Sequence, residues 1–167
     1  MALSRRAAAL ALTAFLASCL AASAAATIVP GHEIARIQLG MNEREVRAQL
    51  GAPRDVTRFP RGYSALRRLQ YPGLDVDFER VGKLGRQPVV VEVVTTRRGE
   101  RTASGVSVGS PFSSVARIPG ARCWSQGAGA RACQLGNPTK RLSRLTTFSS
   151  GRNGRVVWIS VSLAGTR

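Results

Sequence analysis

The sequence has few of the residues from which catalytic sites are usually built. It contains one histidine, His32, so a Ser–His or Cys–His nucleophile pair would have to use that residue. Three cysteines and one histidine do not have the spacing of a zinc site, and no phosphate-binding loop occurs. We therefore predict that the protein is not an enzyme and that it holds neither a metal nor a cofactor.

Acidic residues are also scarce, and they are unevenly placed. The chain has 9 acidic and 25 basic residues, and the last acidic residue is Glu100. The resulting net charge of +16 should attract anionic partners such as cell-wall polymers, lipid headgroups or acidic proteins. Nearly all the basic residues are arginine, so a compositional bias is the competing interpretation. Aromatic residues make up only 5% and no nucleic-acid motif occurs, so nucleic acid is not an expected partner.

The N-terminal residues 1–26 have the pattern of a secretory signal peptide. A basic pair at Arg5 and Arg6 precedes an apolar run that is too short for a membrane span, and a small-residue stretch ends at Ala26. We expect cleavage near Ala26, a secreted or envelope location, and no transmembrane span in the mature chain. The alternative is a lipobox in which Cys19 is lipidated.

Two cysteines, Cys123 and Cys133, remain in the expected mature chain. An even pair in an exported protein predicts a disulfide. Two free buried thiols are the alternative. The segment between them is rich in small residues and is interpreted as a loop that carries Trp124 and Arg131.

A short pattern occurs twice and divides the mature chain into halves of similar length. Gly40 and Val46 are separated by the same number of residues as Gly109 and Val115, and a further glycine follows each pattern. We predict two tandem repeats, at 27–100 and 101–167, joined by a linker at 97–101. The pattern residues, interpreted as structural, are Gly40, Met41, Val46, Gly51, Gly109, Val115 and Gly120.

Each pattern predicts a short helix. Asn42 and Glu45 form a capping box for a helix over 43–50. Ser110 is the expected N-cap of a weaker helix over 111–118. A further helical turn is expected at 32–36, so that each half begins with a helical element.

Strands are predicted after each helix. The expected strands are 65–71, 74–79, 89–96, 131–135, 142–150 and 156–163, with a hairpin turn at 151–154. The first half therefore resembles the second in having three or four antiparallel strands.

One predicted strand places three carboxylates, Asp75, Asp77 and Glu79, on the face opposite its apolar residues. These could act as paired acids and bases. The preferred interpretation is a solvated face that pairs with Arg67 or Arg68 on the neighbouring strand.

The two patterns resemble the motif that opens each half of the secreted β-lactamase-inhibitor proteins. The first pattern is also similar to the motif of the small SmpA/OmlA-type envelope lipoproteins. Their motif ends in Leu-Gly-x-Pro, as residues 50–53 do here. The resemblance implies an α+β fold of two tandem repeats, each a short helix-loop-helix packed on one face of an antiparallel sheet of three to four strands. It also implies a disulfide in the second half, where Cys123 and Cys133 lie, and a concave face that binds protein.

The predicted function is a secreted, non-enzymatic protein-binding module whose partner is an extracellular or envelope protein. Trp124, Arg131, Trp158 and Tyr71 are the possible binding residues, because Trp, Tyr and Arg are enriched in binding hot spots. Trp124 could instead pack over the disulfide. The alternative function is a basic cell-envelope protein that binds anionic polymers, or a structural envelope lipoprotein.

Overall fold

The computed structural model describes residues 27–60, 67–82, 84 and 86–165, and an antiparallel sheet of eight strands forms its centre. In chain order the elements are β1 (Ile28–Val29), β2 (Glu33–Ile34), β3 (Ile37–Gln38), α1 (Glu43–Leu50), β4 (Asp55–Arg58), β5 (Arg67–Tyr71), β6 (Leu74–Glu79), β7 (Val89–Thr95), α2 (Phe112–Ala116), β8 (Arg122–Gly127), β9 (Ala130–Leu135), β10 (Arg144–Ser150) and β11 (Val156–Leu163). The strand order in the large sheet is β4-β5-β6-β7-β11-β10-β9-β8.

The predicted α+β fold class is wrong. The protein is mostly β, and the two helices found among the described residues have eight and five residues. The expected helical turn at 32–36 is replaced by a small antiparallel sheet of β1, β2 and β3. Ile34 and Ile37 favour extended backbone, and the residues between them, Ala35 and Arg36, take positive φ angles of 52° and 67° to form a tight turn.

Both predicted repeats contribute to one continuous sheet. Each helix precedes four consecutive strands, and the last strands of the two series, β7 and β11, pair with each other at the centre. Thr95 lies opposite Ile159, and Glu92 lies opposite Ser162. The predicted linker 97–101 lies within the longer connection, residues 96–111, between β7 and α2. The tandem-repeat interpretation itself stays a prediction.

The two sequence patterns make the same kind of backbone contact. The Gly40 N–H donates to the carbonyl of Val90 at 2.8 Å, and the Val90 N–H donates to Met41 at 2.8 Å. In the second pattern, Gly109 donates to Val156 at 2.8 Å and Val156 donates back to Ser110 at 3.0 Å. Each pattern therefore fastens the beginning of a helical segment to a central strand, which is a structural role.

The first helix has the ends that its sequence predicts. The Asn42 side chain accepts from the Glu45 N–H, the Glu45 carboxylate accepts from the Asn42 N–H, and Gly51 follows the helix with a φ of 77°. The second helix differs from its prediction, because it begins at Phe112 after Pro111 and no side chain caps it. The Ser110 hydroxyl accepts from the Ser107 N–H, so it is not available to the helix.

The hydrophobic core lies on one face of the large sheet. Its largest fully buried side chains include Phe78 and Phe148 on the strands, and it includes Val46 of α1 and Val115 of α2. Burial of an aromatic or branched aliphatic side chain contributes about 1.5–3 kcal/mol each. The β1–β3 sheet and both helices thus cover this face.

The segment between the cysteines is a β-hairpin and not a loop. Strand β8 continues to Gly127, and Cys123 pairs directly with Cys133 of β9. The predicted disulfide is confirmed between these two residues. Within the described ranges no helix is long and apolar enough to cross a membrane. The predicted signal peptide and Cys19 lie outside the described residues.

Candidate functional site

The side of the large sheet opposite α1 and α2 is here called the uncovered face. Because side chains alternate along a strand, the residues between the core positions point to it. These residues are Asp55, Thr57, Arg68, Gln70, Asp75, Asp77, Glu92, Val94, Trp158, Ser160, Ser162, Leu145, Thr147, Ser149, Ala132, Gln134, Arg122 and Trp124. Most of them are polar, whereas the opposite face is apolar.

One row of paired residues crosses all eight strands of the uncovered face. In strand order it consists of Asp55, Gln70, Asp75, Val94, Ser160, Thr147, Gln134 and Arg122. The row begins with a carboxylate and ends with a guanidinium. Within the row, the Gln134 amide donates to the Thr147 hydroxyl at 3.2 Å.

Carboxylates dominate the part of the uncovered face formed by β4–β7. The Arg68 guanidinium donates to both oxygens of Asp77, at 2.6 and 2.8 Å, and lies 3.6 Å from Asp75. The predicted pairing with Arg68 is thereby confirmed, but the prediction of a solvated face is wrong for Asp77, which is buried. Arg67 pairs with Glu43 on the opposite side. The hydrogen bond to Asp77 raises the pKa of Arg68, against the effect of its burial.

Asp75 and Asp77 differ in how they meet this arginine. The Asp77 side chain is 4% exposed and bound through two hydrogen bonds, whereas the Asp75 side chain is 34% exposed. Burial raises the pKa of the Asp75 carboxyl, although the positive charge of Arg68 acts in the opposite direction. The arrangement is a structural ion pair, since Asp77 is fully engaged by Arg68.

A depression of about 360 Å³ occupies the centre of the uncovered face. Its lining includes Glu92, Thr147, Trp158 and Ser160, together with Pro138 from the loop between β9 and β10. Ser160 is only 1% exposed, so the floor is polar but recessed. The Thr147 hydroxyl and the Gln134 amide, beside the Trp158 indole, can donate hydrogen bonds to a partner surface and accept them from it.

The two tryptophans lie in a second row of the same face. Trp158 is opposite Ser149, Ser149 is opposite Ala132, and Ala132 is opposite Trp124. Three strand spacings separate the tryptophan backbones by about 14 Å. Small residues lie between them, and Trp124 is 44% exposed on the side away from the disulfide. The alternative in which Trp124 packs over the disulfide is not found.

The other two predicted binding residues do not belong to this face. Tyr71 is 6% exposed in the core, where its hydroxyl donates to the Gly51 carbonyl at 3.4 Å, and burial raises its pKa. Arg131 points to the opposite side, with its guanidinium 5.5 Å from the centre of the Phe112 ring. Sequence reasoning missed Gln134, Leu145 and Thr147 of β9 and β10, which line the depression, because glutamine, leucine and threonine carry no specific functional signal.

A larger cavity of about 450 Å³ lies at the beginning of α1. Its carboxylate, Glu43, already accepts from both Arg47 and Arg67. Because Glu43 and Arg67 of its lining are held in structural ion pairs, this cavity is a weaker candidate than the uncovered face.

The segment 105–109 matches the Gly-x-Ser-x-Gly pattern of serine hydrolases, with Ser107 at its centre. In those enzymes the serine lies on a sharp turn between a strand and a helix, next to a histidine. Here the Ser107 hydroxyl is 3.2 Å from that of Ser110, and the His32 ring is 2.8 Å from the Arg144 guanidinium. The hydrogen-bond partners of Ser107 and His32 are therefore not those of a catalytic pair. No group of three or more possible metal ligands occurs within the described residues.

Comparisons with known proteins give little further information. No family model matches the chain, and no curated protein matches it. A solved structure that it resembles is the crystal structure of a cysteine-rich secretory protein from Staphylococcus aureus, with a TM-score of 0.42 and 11% sequence identity. The match covers 75% of this chain and 44% of the other, and a likeness this weak supports no argument about fold or function.

Proposed function

We propose that this chain is a non-enzymatic binding module that contacts another protein through its uncovered face. The observation that carries the proposal is a mostly polar face that spans all eight strands, is covered by neither helix and has a depression at its centre. Protein-binding surfaces commonly place aromatic anchors beside hydrogen-bonding groups. Here the exposed Trp124 and the half-buried Trp158 lie on the same face as Thr147 and Gln134.

The disulfide and the predicted signal peptide favour a partner outside the cytosol. Disulfides form and persist in oxidising compartments such as the envelope or the extracellular space. The resemblance of the sequence patterns to secreted inhibitor proteins is compatible with this location, and it does not identify the partner. Fold alone does not determine function, so the contact residues must be tested directly.

Site-specific photo-crosslinking would test the proposal. A photo-reactive amino acid replaces Ser162 on the uncovered face, and a matched variant carries it at Ser113, which is exposed on α2. Cells that export the full-length chain are irradiated, and the products are separated by mass. We expect a discrete crosslinked partner from position 162 only. Equal crosslinking from both positions, or none from position 162, would contradict the proposal.

A second candidate function is electrostatic binding to an anionic polymer. The nine described basic residues after Glu100 are all exposed, and none of them forms an ion pair with a described residue. Retention on polyglutamate should fall steeply as the Debye length shrinks from about 30 Å at 0.01 M salt to about 8 Å at 0.15 M. Retention that is absent, or unchanged by salt, would remove this candidate.

A further inference from the structure

Strand β8 forms one edge of the large sheet. It pairs with β9 on one side, and no described residue pairs with its other side. All six of its residues are exposed. An exposed edge strand presents backbone N–H and C=O groups that can pair with another chain.

The register shows which backbone groups point outward. The Arg131 N–H donates to the Ser150 hydroxyl at 2.9 Å, and the Arg131 carbonyl accepts from it at 3.2 Å. The backbone of Arg131 is therefore directed to β10 and away from β8. Because this direction repeats every second residue, Cys133 is directed the same way. Their partners on β8, which are Ser125 and Cys123, must then point away from β9.

The distance between the two cysteines agrees with this assignment. The Cα atoms of Cys123 and Cys133 are 4.0 Å apart. Opposed residues lie about 4.5 Å apart in a pair without mutual hydrogen bonds and about 5.5 Å apart in a hydrogen-bonded pair. The N–H and C=O groups of Cys123 and Ser125 therefore form the outer edge of the sheet.

This edge is held in place and is only lightly protected. The disulfide holds β8 against β9, so β8 loses little conformational entropy when another strand is added. Proline is absent from β8, and Arg122 is its only charged residue. Trp124 projects beside the edge on the uncovered face. It offers an apolar contact to a side chain of the added strand that points to the same face.

The charge around the edge determines what it can accept. Arg122 lies on the strand itself, Arg117 precedes it, and Arg152 lies against Gly129 in the adjoining turn, with no acidic residue after Glu100 in the sequence. A second copy of the chain would bring the same positive charges to the same edge. An acidic segment instead meets complementary charge on its side chains while its backbone pairs with β8.

We propose that the outer edge of β8 binds an extended acidic peptide segment, which pairs with Cys123 and Ser125 as a ninth strand of the sheet. This proposal rests on the proposed function and names the form of the partner's contact. It places the partner's strand beside Trp124 and the rest of the partner over the uncovered face.

Ser125→Pro and Ser125→Ala form a matched pair of variants for the test. Both remove the hydroxyl that accepts from the Gly127 N–H at 3.3 Å, but only proline removes the outward N–H. The probe is a short alternating Glu/Val peptide, titrated against the full chain and followed by the intrinsic fluorescence of its two tryptophans. We expect Ser125→Ala to bind the peptide with the affinity of the wild type. We expect the affinity of Ser125→Pro for the peptide to be lower by about tenfold or more.

Hydrogen exchange on the unmodified protein provides a measurement that does not depend on the folding of a variant. The Cys123 and Ser125 amides should exchange quickly in the free protein and slowly with the peptide, whereas the Trp124 amide is protected in both. A Lys/Val peptide of the same length should give no protection. Unchanged exchange at Cys123 and Ser125 with saturating Glu/Val peptide would overturn the proposal.

Two further outcomes separate the possible failures. If Ser125→Pro still crosslinks its partner through position 162, and Cys123 gains no protection, the edge proposal fails while the proposed function stands. If the free protein sediments as a dimer that Ser125→Pro converts to a monomer, the edge pairs with a second copy, and the acidic peptide is the wrong occupant.

Discussion

Two neighbouring aspartates of β6 should respond in opposite ways to the same substitution. Asp77→Asn and Asp75→Asn each replace a carboxylate by an amide of nearly the same size on the uncovered face. Asp77 accepts two hydrogen bonds from Arg68 and is 4% exposed, whereas Asp75 lies 3.6 Å from Arg68 and is 34% exposed. The two variants therefore compare a carboxylate that Arg68 binds through two hydrogen bonds with one that makes no such bond and whose pKa is raised by burial.

The cost of Asp77→Asn follows from the contacts that are lost. An amide can accept from only one nitrogen of Arg68, and its own NH₂ group faces the guanidinium. A charge-assisted hydrogen bond of this kind contributes about 1.5–3 kcal/mol, so we expect a loss of about 2 kcal/mol. In a chain of this length that loss lowers the thermal midpoint by about 6 °C.

Asp75→Asn should leave the stability at pH 7 within about 0.5 kcal/mol of the wild type, on the more stable side. Burial raises the pKa of Asp75 in the folded protein, so the folded state disfavours its ionised form. This unfavourable contribution is fully present above the folded pKa and disappears below the unfolded pKa, at about pH 4. The advantage of Asp75→Asn should therefore be present at pH 7 and vanish as the pH falls through this range.

Urea unfolding of both variants between pH 3 and pH 7, followed by far-UV circular dichroism, measures these differences. Asp77→Asn should lower the free energy of unfolding at pH 7, while the slope with urea stays the same. An equal loss in Asp75→Asn would refute the reasoning, because it would mean that attraction to Arg68 outweighs the desolvation of Asp75.

Three further changes test the framework of the sheet. Reduction of the disulfide between Cys123 and Cys133 should cost about 2.5 kcal/mol by loop-closure entropy, measured by urea unfolding with and without reductant. Asn42→Ala removes one half of the capping box and should cost about 1 kcal/mol, seen as a lower thermal midpoint. Gly136→Ala would bring its Cβ to 2.3 Å from a backbone oxygen of β10, so we expect a loss above about 2 kcal/mol. Gly105→Ala is its control, since it shares the positive φ but meets nothing within 4 Å and should cost only about 1–2 kcal/mol in calorimetry.

Most strands of the fold could be predicted because their sequences alternate between apolar and polar residues. Ile159, Val161 and Leu163 face the core while Trp158 and Ser160 face the other side, as expected. The capping box of α1 could be predicted for a similar reason, since its bonds join residues three apart. Local patterns of this kind do not depend on distant parts of the chain.

The fold class could not be predicted, because it depends on long-range pairing. The first 14 residues of the described chain contain isoleucines at a spacing that suits either a helical turn or a tight hairpin. Interactions within the folded protein decide between these two conformations. The Ala35 N–H donates to the Thr27 carbonyl at 2.8 Å, and the Ile34 side chain packs into the core. Strand β8 was missed because serine, glutamine and glycine favour loops, and only its pairing with β9 and the disulfide keep it extended.

The uncovered face also has a charge asymmetry that no single strand shows. Among the described strand residues that point to the face, the β4–β7 part carries Asp55, Asp75, Asp77 and Glu92 together with Arg68, while the β8–β11 part carries Arg122 as its only charged residue. A partner that binds across the whole face would therefore meet the carboxylates of Asp55 and Asp75 on β4 and β6, and the guanidinium of Arg122 on β8. The same polarity would orient an acidic strand at the β8 edge, so the edge and the face would select one direction of binding together.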